Sequence, residues 1–150
     1  EIIPLDNDWQ KAAHVYSDEV LISHRTDAEK GTPKFERGKS LSDYQCEMIY
    51  ISGTAAIRGE ESIVTGDVLV QTEITLENIQ HLIGLEEGRE KLPEHSGKLE
   101  LLRVYLKHEE DAKIVKEDMD KLCPDVPIVY LYADVCREEL LVEIEGIAYL

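Results

Sequence analysis

The chain has 150 residues with 43% apolar content, enough for one domain with a core of its own and too apolar for a disordered segment. Against 16 Lys and Arg stand 32 Asp and Glu, a formal charge of -16, which opposes a nucleic-acid backbone or an anionic membrane surface as partner. Cys46, Cys123 and Cys136 form no C-x-x-C pair and the five histidines show no metal spacing, so neither a disulfide framework nor a metal or organic cofactor is expected, and a reducing cytoplasm suits the chain.

Residues 1–33 carry little pattern and are set apart as an N-terminal extension, ended by the breaker Gly31-Thr32-Pro33, with the organised domain over 34–150. Met48 to Ile51 is β-rich and delivers a small-residue turn at Ser52-Gly53-Thr54, where a backbone can approach a ligand closely. Ala55 to Thr65 has no strong pattern and is expected to loop out. Leu69, Thr72, Leu76, Ile79 and Ile83 recur at helical spacing behind Asp67, a candidate N-cap. Glu86 to Lys98 forms a long loop; Leu99 to Lys107 reads as a strand and Glu110 to Leu122 as a helix with Ala112, Val115, Met119 and Leu122 on one stripe. Pro124 ends that helix, and the strands Pro127 to Tyr132 and Val142 to Ala148 follow.

Two helices cannot cover both faces of such a sheet. The expected fold is therefore α+β, a mixed sheet with two helices packed on one face and the other face closed by another subunit or lined as a cleft. In the last strand Glu143 and Glu145 alternate with Val142 and Ile144, so both carboxylates lie on the side away from that core. Burial there raises a carboxyl pKa unless a cation pairs with it, which is what a general acid or base near neutrality needs. Glu143 is the candidate catalytic group; Glu145 is expected to be structural. Lys116, next to Val115 on the second helix, is placed to reach the cleft rim and hold a carboxylate, and Tyr130 with Tyr132 is placed to line an aromatic pocket. Cys136 has no His fixed nearby and is expected to be packed.

Ile51-Ser52-Gly53, Gly66-Asp67, Gln71-Thr72, Leu76, Asn78-Ile79, Val104-Tyr105-Leu106 and Val142-Glu143-Ile144-Glu145-Gly146-Ile147-Ala148 resemble the YjgF/RidA superfamily, also called endoribonuclease L-PSP, over roughly Phe35 to Ala148. The resemblance implies a chorismate-mutase-like fold and a homotrimer with clefts between subunits. It also implies that Glu143 is the carboxylate working on water or a proton, and that Ser52-Gly53 contacts substrate. The deaminases of the superfamily carry an Arg after the Pro of the penultimate strand; here that stretch is Pro127-Ile128-Val129-Tyr130, and Lys116 stands where they have Asn. A 2-imino or enamine acid deaminase is thus a weakened alternative.

Phe35-x-Arg37-Gly38, Ser52-Gly53-Thr54-Ala55-x-Ile57, Glu61-Ser62 and Tyr130-Leu131-x-Ala133-Asp134-x-Cys136-Arg137-x-x-Leu140-Leu141-Val142-Glu143 are similar to the C-terminal half of the chorismatases, which remove pyruvate from chorismate. Those enzymes hold two such halves; this chain has one, so it reads as a fragment or a single-domain relative. The resemblance implies a small carboxylated metabolite as partner, with Arg37, Arg137 or Lys116 holding its carboxylate. A non-catalytic binding or assembly module is the alternative. Nuclease activity is disfavoured by the charge.

Overall fold

A computed structural model describes residues 37–42, 47–59, 61–84 and 98–149. The expected extension at 1–33, Phe35, Cys46 and most of the expected loop at 86–98 lie outside the described residues.

The main sheet has five strands: β1 (Gly38–Ser42), β2 (Glu47–Ala55), β5 (Lys98–Leu106), β6 (Ile128–Tyr132) and β7 (Val142–Tyr149). Their order is β1-β2-β7-β5-β6. β7 lies at the centre, antiparallel to both β2 and β5, and β6 runs parallel to β5 at the edge. A mixed sheet with two helices is the architecture expected. The run 55–65, expected to loop out, instead carries a two-stranded ribbon, β3 (Ile57–Arg58) with β4 (Glu61–Ser62); two-residue strands are too short to leave a period in the sequence.

The helix α1 (Val68–Leu82) starts where its cap demands, because the Asp67 carboxylate accepts from the backbone N–H groups of Leu69 and Val70. Its inward stripe is unusually polar. Gln71, Thr72 and Thr75 are fully buried beside Leu76 and Ile79. The two threonine hydroxyls are satisfied locally, Thr72 donating to the Val68 carbonyl at 2.8 Å and Thr75 to the Gln71 carbonyl at 2.6 Å.

A 3-10 turn (Glu109–Asp111) leads into the helix α2 (Ala112–Leu122), its acidic residues complementing the helix dipole. Val115 and Met119 are buried as the stripe implies, but Leu122 is 45% exposed and Cys123 takes the core position instead. The helix ends there, with the Cys123 N–H bonded to the Met119 carbonyl, so the chain turns before Leu122 can rotate inward.

Both helices pack on one face. Ile49, Ile51, Leu102, Val104, Val142 and Ile144 join Leu76, Ile79, Val115 and Met119 in a single core. Burying a side chain such as Ile144 contributes about 2–3 kcal/mol relative to leaving it in water. Gly146 completes the central strand at a crowded point, since a Cβ there would lie 2.6 Å from the Leu101 carbonyl oxygen. Among the described residues no helix lies over the opposite face. Tyr50, Val129, Leu131 and Tyr149 remain 38–46% exposed on it, around the side chains of Arg103, Tyr105, Glu143 and Glu145.

Candidate active site

The site grows from an irregularity in β2. Ile51 pairs with Gly146 and Thr54 with Ile144, so three steps along β2 match two along β7, and Ser52 and Gly53 together oppose Glu145. This is a β-bulge inside a continuous strand, where the sequence had suggested a turn. Thr54 holds it by donating its hydroxyl to the Ser52 carbonyl at 2.9 Å. Arg37 is tied to it as well, because the Ser52 N–H donates to the Arg37 carbonyl at 3.0 Å.

Gly53 is the floor on which the Glu143 carboxylate rests. A Cβ at this position would sit 2.0 Å from Glu143 Oε1, far inside van der Waals contact, so only glycine admits the carboxylate. Glu143 and Glu145 share the open face of β7 and differ in their partners. Glu145 is tied down: Arg103 Nε lies 2.7 Å from its Oε1, and the Tyr105 hydroxyl donates a very short hydrogen bond to the same oxygen. That bond, followed by burial, raises the Tyr105 pKa above its ordinary value. Glu143 has no hydrogen bond or ion pair among the described residues and is half-buried. Desolvation, then the neighbouring Glu145 charge, raises its pKa, with Arg37 pulling the other way.

Arg37 is the cation that acts on this carboxylate, and Arg137 in turn acts on Arg37. Arg37 feels its own burial first, then the Arg137 charge, both lowering its pKa, while Cys136 and Glu143 raise it. These four groups therefore form one electrostatic cluster. Arg137 Nη1 donates to Ser62 Oγ at 3.0 Å, which links the loop before β7 to β4. The exposed Glu139 also bonds Ser62, and that bond lowers its carboxyl pKa. A small core of Ala55, Ala56, Val135 and Leu140 pins this loop to the end of β2.

The structure thus brings Ser52, Gly53, Arg37, Arg137 and Glu143 together and leaves three expected site residues elsewhere. Lys116 is exposed on α2, whose buried residues Val115 and Met119 pack on the far side of the sheet from Glu143. Tyr130 pairs with Val104 and packs against the helix-side core, where burial pushes its pKa up to about 12. Thr54, paired with Ile144, also faces that side. Each points away because strand residues alternate and Lys116 rides the outer face of its helix. Cys136, expected to be packed, is exposed. Sequence reasoning did not single out Arg103 or Tyr105 as partners of Glu145. The usable signal was their i, i+2 spacing on a strand that has to pair with the last one.

Among the described residues no group of three His, Cys, Asp or Glu could hold a metal ion, and no helix is long and apolar enough to cross a membrane. The arrangement offers a protonatable carboxyl seated on glycine, with the guanidinium of Arg37 acting on it and that of Arg137 acting on Arg37. Such a site can bind a carboxylate and move a proton.

No protein-family model matches the sequence. A chorismatase from Streptomyces rapamycinicus is 36% identical over 136 residues, covering 85% of this chain and 41% of that protein. A 3-hydroxybenzoate synthase from Streptomyces hygroscopicus is 36% identical over 128 residues, covering 77% of this chain and 36% of that protein. A crystal structure of a chorismatase superposes with a TM-score of 0.64 at 31% identity, over 75% of this chain and 35% of the other. The YjgF gene product of E. coli shares the fold at a TM-score of 0.57 and 19% identity, over 81% of this chain and 89% of the other. The chain spans about two-fifths of the length of the curated relatives it matches. It has the YjgF/RidA fold, and within that fold its sequence is related to part of the chorismatases.

Proposed function

We propose that this chain forms a site for a small carboxylated metabolite and that Glu143 is its acid and base, in a chorismatase-like hydrolysis. The observation that carries the reading is a half-buried carboxylate without a partner among the described residues, seated on Gly53, with its pKa raised by desolvation and by Glu145. Arg37 and Arg137 hold the substrate carboxylate, for which a planar guanidinium is suited. On a vinyl ether such as that of chorismate, the neutral Glu143 carboxyl gives its proton to the methylene carbon. The carboxylate left behind takes a proton from the water that adds to the ether carbon. The hemiketal then collapses, its hydroxyl proton passing to the departing ring oxygen, and pyruvate and an alcohol are released. Ser52 and Gly53 offer backbone at the bulge for close approach of the substrate.

The uncovered sheet face supports assembly into a trimer with the site at the subunit boundary. Tyr50, Val129, Leu131 and Tyr149 expose apolar surface around the polar centre. The test is pyruvate release from chorismate by the wild-type chain and by Glu143→Gln, alongside the mass in solution. The reading expects turnover in the wild type and a loss of about 10²–10⁴-fold in the variant. Binding of chorismate without turnover in either protein would make the chain a binding module. A monomer that still turns over chorismate would remove the subunit boundary from the account.

A further inference from the structure

The inward face of α1 carries two carboxamides two turns apart, Gln71 and Asn78, and neither is used for packing alone. Gln71 is fully buried. Its Oε1 accepts from the Leu141 N–H at 2.8 Å and its Nε2 donates to the Glu139 carbonyl at 3.1 Å. Glu139 lies in the turn that the Leu140 N–H closes on the Arg137 carbonyl, and Leu141 enters β7, so one carboxamide ties the end of that turn to the start of the strand. Asn78 makes the matching clamp on the other side: its Nδ2 donates to the carbonyls of Ala55 and Ile57, each at 3.0 Å.

Both clamps end beside Glu143. Leu141 leads into β7 two residues before Glu143, and Ala55 is the residue of β2 that pairs with it. We infer that Gln71 and Asn78 are positioning residues, a pair of amide clamps through which α1 sets the two backbone segments that hold the Glu143 carboxylate against Gly53. This rests on the reading of Glu143 as the acid. The choice of side chain supports it. A Leu or Met at position 71 would fill the same space in the core without the cost of burying an amide, whereas the Gln71 carboxamide brings a donor and an acceptor side by side with no charge to bury. The 139–141 segment is held besides by the Leu140 N–H donating to the Arg137 carbonyl at 3.2 Å, the Leu141 carbonyl accepting from the Lys107 N–H at 3.0 Å, and the Glu139 side chain bonding Ser62.

The test uses Gln71→Met, which keeps the volume and loses both bonds, and Asn78→Ala, which leaves room for water and is the milder change. In each, the Glu143 carboxyl is titrated by carbon-detected NMR, and kcat and KM are measured on chorismate. The groups acting on Glu143 are Glu145, Arg37 and Tyr105. With the clamp gone, water reaches the carboxyl, and its midpoint is expected to fall by about half a pH unit or more, with kcat dropping and KM held. An unmoved midpoint in folded Gln71→Met overturns the inference, as does an unmoved midpoint in Asn78→Ala should Gln71→Met not fold. If Glu143 already titrates as an ordinary glutamate in the wild type, the catalytic reading fails by itself. The clamps are then judged by whether the variants still displace that midpoint.

Discussion

The two faces of β7 carry the same backbone and opposite chemistry. Val142, Ile144 and Ala148 are fully buried against the helix-side core, while Glu143, Glu145 and Ile147 look out from the face that no helix covers among the described residues. The covered face is over-determined: every side chain has apolar neighbours, and losing one leaves a cavity. The open face is less constrained at one point, because Glu145 is paired with Arg103 and Tyr105 whereas Glu143 has no such partner among the described residues. Under the proposed function, stability resides on one side of the strand and reactivity on the other, one residue apart.

The comparison breaks most visibly at neighbouring residues. Ile144→Ala is expected to cost about 3–4 kcal/mol in chemical unfolding, the range for a fully buried aliphatic side chain. Glu143→Gln should do the reverse. A carboxyl whose folded pKa is raised contributes stability that is complete below its unfolded pKa and is lost as pH rises through the folded value. Removing its charge therefore raises the melting temperature at pH 7, by about 2–5 °C, and leaves it nearly unchanged at pH 3.5. Equal destabilisation by both substitutions would erase the distinction between the faces.

Gly53→Ala sharpens the local claim. Its Cβ would collide with Glu143 Oε1, so the carboxylate must swing off its seat. Any turnover of chorismate should fall by about 10²-fold, with a stability loss of about 1–3 kcal/mol. Unchanged kinetics would mean the bulge does not position the acid.

Glu145→Gln removes the like charge beside Glu143 and leaves the Arg103 cation in place. Both effects favour the ionised form of Glu143, so the alkaline limb of the pH–rate profile should move to lower pH. The smallest effects are expected on the covered side. Tyr130 has a buried hydroxyl with no hydrogen-bond partner among the described residues, so Tyr130→Phe should be neutral or stabilise by about 1 kcal/mol. Lys116→Ala on the outer face of α2 should leave turnover unchanged.

The covered face was legible in the sequence because it is written in periods. The helical spacing of Leu69, Leu76 and Ile79 and the alternation of Val142 with Glu143 state which residues go inward, and the structure agrees. What sequence missed lies where local rules are broken. The bulge at Ser52-Gly53 looks like a turn, because small residues signal both, and the β3–β4 ribbon is shorter than any period. Arg137 and Arg37 were found through motif resemblance, since no spacing predicts that residues a hundred positions apart share one electrostatic cluster. Side-chain direction is what the sequence left open for Lys116 and Tyr130, which the structure places on the helix side of the sheet, away from Glu143. Gln71 lies off the stripe of Leu69, Thr72, Leu76, Ile79 and Ile83 read from the sequence, so its burial and its bond to the Leu141 N–H came only with the structure.

The most direct test is the titration of the Glu143 carboxyl itself, followed by carbon NMR in the wild-type chain and assigned by the signal missing from Glu143→Gln. A midpoint clearly above that of an ordinary glutamate, falling when Glu145 is replaced by Gln, is the predicted result. A midpoint at or below the ordinary value would mean that a partner holds the Glu143 charge, and would contradict its assignment as the acid.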